Sequence, residues 1–282
     1  MSQFNLVLDS SQIVAFLECP QKWVFQYQKN LELKEQQHQG FNKGTIVHGM
    51  LERYYKHIHE SWPTAQAIVL AKVRDERKEL DIDDDTFNLL LNRFINYTSR
   101  YQDDLLPVEH NGKLVIESGF SYPVINNDRF LFILEGRIDI IAKFDSFVAI
   151  VDHKTQARYR RFYPFSIQFM NYALAMGLNR VMINVIGLQE KFDEKNLFRQ
   201  PFYYSTEKLA QWKKKLELIF YRVANALILN SYEKNEASCP GKYGYPCDYC
   251  KICEETKPEI IDNIIKFKYK ERPIWTPWSE DE

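Results

Sequence analysis

Residues 136–141, GRIDII, and residues 150–155, IVDHKT, decide how this chain is read. Each sets charged residues inside a run of aliphatic side chains, where a charge is costly unless it has a partner or a purpose. Both runs have strand character. Residues two apart on a strand point to the same face, so Asp152 and Lys154 project side by side and His153 projects to the opposite face. With the GRIDII strand as hairpin partner, Asp139 lies opposite or diagonal to Asp152. Two carboxylates and an ammonium then converge on one point of a sheet.

Carboxylates held together repel each other unless a cation sits between them. An oxygen-rich site of this kind suits Mg²⁺ or Mn²⁺. Such an ion activates water and stabilises a leaving oxygen. Lys154 can position the attacking water or offset charge building on a phosphate. These are the components that metal-assisted phosphodiester hydrolysis needs. An Asp-x-Lys pair alone is a weak motif; its setting in apolar strands beside Asp139 gives it weight.

Around these two runs, residues 113–124, 129–144 and 146–155 read as three consecutive strands, with turns at 126–128 and 144–146. A helix is expected over 165–178, a strand over 181–188, another over 198–205, and a long helix over 206–229. On the N-terminal side, residues 10–30 read as a helix interrupted or restarted at Pro20. Residues 31–42 read as a loop, a helix begins at Gly44, and residues 62–106 are mostly helical with a break at 81–85. The order implies an α/β core with a mixed sheet.

The formal net charge of -1 argues against a purely electrostatic nucleic-acid binder. It leaves room for a local basic channel. The segment TQARYRRFYPF, residues 155–165, interleaves Arg158, Arg160 and Arg161 with Tyr159, Phe162 and Tyr163. Beside a metal site, that composition suits a single strand, with arginines on phosphates and rings on bases. The first residues lack the basic start and apolar run of a secretory signal, and no stretch is long and apolar enough to cross a bilayer. The expected location is the cytoplasm of a bacterial or phage-infected cell.

The series GRIDII, IVDHKT and Gln168-x-x-x-Tyr172 resembles the RecB-like branch of the PD-(D/E)xK nucleases, which includes the CRISPR adaptation nucleases and phage exonucleases. The resemblance implies a restriction-endonuclease-like core with a mixed central sheet, a helical N-terminal insertion and a cysteine-rich cluster region. It implies catalytic roles for Asp139, Asp152, Lys154, Gln168 and Tyr172. Gly44-x-x-x-His48 matches the family's upstream histidine, so His48 joins Asp139 and Asp152 as an implied metal ligand, with His153 contributing its backbone carbonyl. Gln168 and Tyr172 are four apart and share a helix face. Glu117, one strand before GRIDII, is a further candidate for metal binding.

Four of the five cysteines fall within residues 239–253, and Cys19 stands in ECPQKW near the N-terminus. In a reducing cytosol such spacing favours a metal site. Zinc and a [4Fe-4S] cluster both accept four thiolates. The resemblance implies the cluster, held by Cys19, Cys239, Cys247 and Cys253, with Cys250 as the alternative to Cys239. It would staple the chain's ends together.

The expected organisation is a helical region over 1–110 carrying Cys19 and His48, a nuclease core over 111–235, and a cysteine-rich segment and tail over 236–282. The implied activity is metal-dependent DNA hydrolysis. It points to an exonuclease or end-processing enzyme acting on single strands or single-stranded ends in recombination, repair, phage DNA metabolism or CRISPR adaptation. No G-x-x-x-x-G-K-[ST] loop is present, so unwinding would come from a helicase or recombination partner. The alternative is a catalytically silent DNA-binding or scaffold subunit with a zinc or iron-sulfur structural site.

Overall fold

The computed structural model describes residues 3–34, 39–102, 104–158, 160–189, 194–241 and 246–278. Its longer elements run β1 (Phe4–Leu8), α1 (Ser10–Glu18), β2 (Leu31–Leu33), α2 (Gln39–His57), α3 (Trp62–Asp75), α4 (Asp84–Tyr101), β3 (Ile116–Asn126) and β4 (Phe130–Phe144). They continue with β5 (Phe147–Gln156), α5 (Ile167–Met176), β6 (Arg180–Gly187), β7 (Leu197–Tyr203), α6 (Thr206–Leu229), α7 (Cys250–Glu254), α8 (Pro258–Lys268) and β8 (Tyr269–Glu271). The chain forms two compact units, Met1–Gln37 with Ser121–Gly136 and Gln211–Pro277, and His38–Phe120 with Arg137–Ala210 and Trp278–Glu282.

The second unit carries the central mixed sheet. β4 and β5 form the expected hairpin, closed by Asp145 and Ser146 between the paired Phe144 and Phe147. β5 runs parallel to β6, and β6 antiparallel to β7. The amphipathic helices α2, α3 and α4 supply a layer whose Met50, Leu51 and Phe94 share a buried core with Ile140 and Val151 of the sheet. Asp83 starts α4 by accepting the Thr86 amide at 2.6 Å, which explains the acidic break before it. Gly177, at φ 63°, closes α5 in the left-handed conformation that glycine adopts without steric cost.

In the first unit, β1 lies parallel to the first half of β4, from Phe4 beside Phe130 to Leu8 beside Leu134. The expected helix over 10–30 is broken, as its proline requires. α1 ends at Glu18, Pro20 opens a four-residue turn, and Val24–Gln28 continues as a π-helix. The loop expected over 31–42 is corrected at both ends. Leu31–Leu33 pairs antiparallel with Tyr269–Glu271, and α2 begins at Gln39. Phe25, Leu31, Tyr249, Ile252 and Tyr269 make a small core there, with the Tyr249 and Tyr269 rings stacked at 5.7 Å. No helix among the described residues is long and apolar enough to cross a membrane.

Candidate active site

The hairpin ladder between β4 and β5 ends at Ile140 opposite Val151. One further step of that register sets Asp139 against Asp152. There the Asp139 side chain, rather than a backbone carbonyl, receives the His153 amide at 2.6 Å. Asp152 is fully buried. Its Oδ1 accepts from Lys154 Nζ at 3.0 Å and from Gln168 Nε2 at 3.3 Å. The same Gln168 amide donates to the Tyr172 hydroxyl at 2.8 Å, so one turn of α5 joins both residues to the carboxylate. Asp152 Oδ2 lies 2.8 Å from the Lys154 ammonium, close enough for attraction, yet receives no well-formed hydrogen bond among the described residues.

His48 Nδ1 lies 3.6 Å from Asp139 Oδ2 and 3.9 Å from Glu117 Oε1. One ligand atom from each of His48, Glu117 and Asp139 falls within 4.8 Å of the other two. His48 reaches the strands because Gly44, one turn earlier, lets α2 approach β5. A Cβ at Gly44 would meet Thr155 Oγ1 at 3.2 Å. Glu117 holds a left-handed backbone, φ 46°. That conformation costs a non-glycine residue about 1–3 kcal/mol and persists only where its surroundings enforce it.

Burial drives the charges here. It raises the pKa of Asp139, against the pull of His48 and Lys154. It pushes Asp152 up to about 6, again opposed by Lys154. Burial disfavours a charged His48 and a charged Lys154, but the neighbouring carboxylates outweigh it and raise both. The cluster therefore combines crowded acids, an underused buried oxygen and an imidazole. That donor set fits a hard divalent cation.

The His153 ring turns away from the carboxylates, as strand alternation requires. It stacks on Tyr55 at 5.7 Å, and its Nδ1 lies 3.3 Å from the Asn184 amide. Asn184 also donates to the Tyr97 hydroxyl at 2.6 Å, and Tyr97 meets the Tyr55 hydroxyl at 2.7 Å. Burial holds the His153 pKa well below the usual range, so the ring stays neutral. Sequence reasoning missed this supporting network; the available signal was Asn184 in the apolar run VMINVIG.

The segment after Lys154 leaves Arg158, Arg160, Arg161, Tyr163 and Phe165 exposed and turns Phe162 inward. Tyr159 lies outside the described residues.

The first unit holds the second candidate centre. Cys19, Cys239, Cys247, Cys250 and Cys253 line one cavity of about 330 Å³. All five are free thiols. Burial pushes Cys250 and Cys253 up to about 11. Ionising several of them together requires a cationic centre, which fits a thiolate-bound metal group. No three of these sulfurs fall within 4.8 Å of one another among the described residues.

The family model described as the PD-(D/E)XK nuclease superfamily matches residues 10–254. The solved crystal structure of SSO0001 is similar at 12% identity, over 90% of this chain and 88% of that one, with a TM-score of 0.38. No curated protein matches the sequence.

Proposed function

Because the chain belongs to the PD-(D/E)XK nuclease superfamily, we propose that it is a metal-dependent DNA nuclease of the RecB-like kind. It acts as an exonuclease or end-processing enzyme on DNA with single-stranded ends. The observation that carries this reading is the convergence of His48, Glu117 and Asp139 within 4.8 Å, beside the Asp152–Lys154 pair. His48, Glu117, Asp139 and Asp152 Oδ2 would hold Mg²⁺ or Mn²⁺, with the His153 backbone carbonyl as a further donor. When bound, the ion polarises a phosphoryl oxygen and lowers the pKa of a water.

The chain's own residues do the rest. Lys154 stays charged because Asp152 and Asp139 raise its pKa, so it offers a fixed positive charge to a phosphate oxygen or orients the attacking water. Gln168 holds Asp152 and Tyr172 in one geometry through its two hydrogen bonds. The buried stack of Tyr55 on His153 fixes the backbone between Asp152 and Lys154.

The cysteine cavity would hold a [4Fe-4S] cluster through Cys19, Cys239, Cys247 and Cys253. The support for this reading is that Cys19 lines one cavity together with the four C-terminal cysteines, which provides more than the four thiolates the cluster needs.

Incubation with Mn²⁺ and matched linear and covalently closed circular single strands tests the end-dependent reading. Degradation of the linear strand alone supports it. Cutting of the circle contradicts it.

A further inference from the structure

Immediately beyond the catalytic strand, two large rings stand in solvent: Tyr163 is 73% exposed and Phe165 68%. The segment that carries them is anchored at both ends to Asp152. Lys154 contacts this carboxylate at 2.8 Å before it, and Gln168 at 3.3 Å after it. The segment has no regular secondary structure among its described residues, yet its backbone is clamped twice. Gln156 donates to the Arg160 carbonyl at 3.2 Å and accepts the Arg160 amide at 2.8 Å. Gln200 accepts the Phe162 amide at 3.0 Å and donates to the Phe162 carbonyl at 2.7 Å.

Each glutamine amide thus takes the place of a neighbouring strand's peptide. Phe162 is turned inward and packs edge-on to Phe169, at 6.0 Å between centroids. A turn hydrogen bond from the Ser166 amide to the Tyr163 carbonyl at 3.2 Å completes the hold. The result is an ordered backbone that presents Tyr163 and Phe165 outward. Order of this kind lowers the conformational cost of binding. One cation stands beside the rings, with Lys208 Nζ 5.0 Å over Phe165, and the segment's own Arg158, Arg160 and Arg161 are exposed.

We propose that Tyr163 and Phe165 form a base-stacking platform for a single-stranded nucleic-acid end at the carboxylate site. Exposed rings two residues apart, on a segment rich in exposed arginines, fit unstacked bases and their phosphates. The faces of paired bases are already occupied by their neighbours in a duplex. The proposal rests on the nuclease reading for the strand's fate, but the platform is tested by binding alone.

The full-length protein is titrated in EDTA with a fluorescent 15-nucleotide oligothymidylate, an abasic strand of equal length and a blunt duplex. The wild type is compared with the Tyr163→Ala/Phe165→Ala double variant. The expected result is a loss of at least about tenfold in affinity for oligothymidylate, with little change on the abasic strand or the duplex. A Tyr163→Trp variant, which keeps a ring, should retain affinity and show quenched fluorescence from the new indole on binding. Equal affinity of wild type and double variant for oligothymidylate, or equal loss on the abasic strand, overturns the platform. Ring-dependent binding without metal-dependent cleavage by the wild type upholds the platform and removes the nuclease reading.

Discussion

Asp139 Oδ2 receives the backbone amide of His153 at 2.6 Å, so the first carboxylate of the site is tied to the peptide that separates Asp152 from Lys154. The hairpin ladder has ended one pair earlier, at Ile140 and Val151. A side chain therefore continues the work of the sheet, and the same Oδ2 lies 3.6 Å from His48 Nδ1. Asp139→Asn keeps an oxygen for that amide but removes the charge. The fold should survive, with a metal-free melting temperature equal to or above wild type, because burial disfavours the lost charge. Cleavage should fall at least about 100-fold. Circular-dichroism melts and a cleavage assay check both halves.

The pH dependence follows from Asp152, whose carboxyl is pushed up to about 6 by burial. An unfolded aspartate titrates near about 3.9. Between about 4 and 6 the folded state keeps a proton that the unfolded state has lost, so the metal-free protein loses stability as pH rises through that window. Mn²⁺ binds the deprotonated acids and should offset the loss. Its increase in melting temperature should be larger at pH 7.5 than at pH 5. Equal increases at the two pH values would contradict the assignment of these acids as ligands.

Gly44 approaches β5 closely enough that an added Cβ would lie 3.2 Å from Thr155 Oγ1. Gly44→Ala gains about 1 kcal/mol in helix propensity, which offsets a small shift of the Thr155 hydroxyl, so its melting temperature should stay near wild type. Gly44→Leu overpacks the contact and should cost about 1–3 kcal/mol. It should also weaken Mn²⁺ binding by displacing His48. Thermal melts and calorimetric titration separate the two effects.

The centre of the site was legible because charge inside apolar strands is rare enough to be informative, as with Asp139 and Asp152. The four-residue spacing of Gln168 and Tyr172 announced a shared helix face. Long-range pairings were not legible. Phe4–Leu8 is a strand only because residues 130–134 lie beside it, and Leu31–Leu33 only because Tyr269–Glu271 does. Neither three- nor five-residue segment carries its own signal. The approach of Glu117 to His48 accompanies a left-handed backbone that its residue type does not encode.

The cysteines give a prediction independent of cleavage. Cys19 lines the same cavity as four cysteines more than 200 residues later in the chain. Closing so long a loop removes chain entropy worth about 5 kcal/mol in the disulfide model. Cys19→Ala should lose the bound iron and melt well below wild type. Cys239→Ala should also lose iron, while Cys250→Ala should keep it. Elemental analysis of anaerobically purified protein decides this, and zinc in place of iron would contradict the cluster.

The most direct test of the central claim is digestion of end-labelled single- and double-stranded DNA with Mn²⁺ or Mg²⁺ by the wild type and by Lys154→Ala. The wild type should cleave in a metal-dependent way, and the variant, folded like the wild type, at least about 100-fold more slowly. Equal cleavage by the two proteins would place the chemistry elsewhere. No cleavage by the folded, metal-supplied wild type on any substrate would contradict the nuclease reading and favour a binding-only subunit.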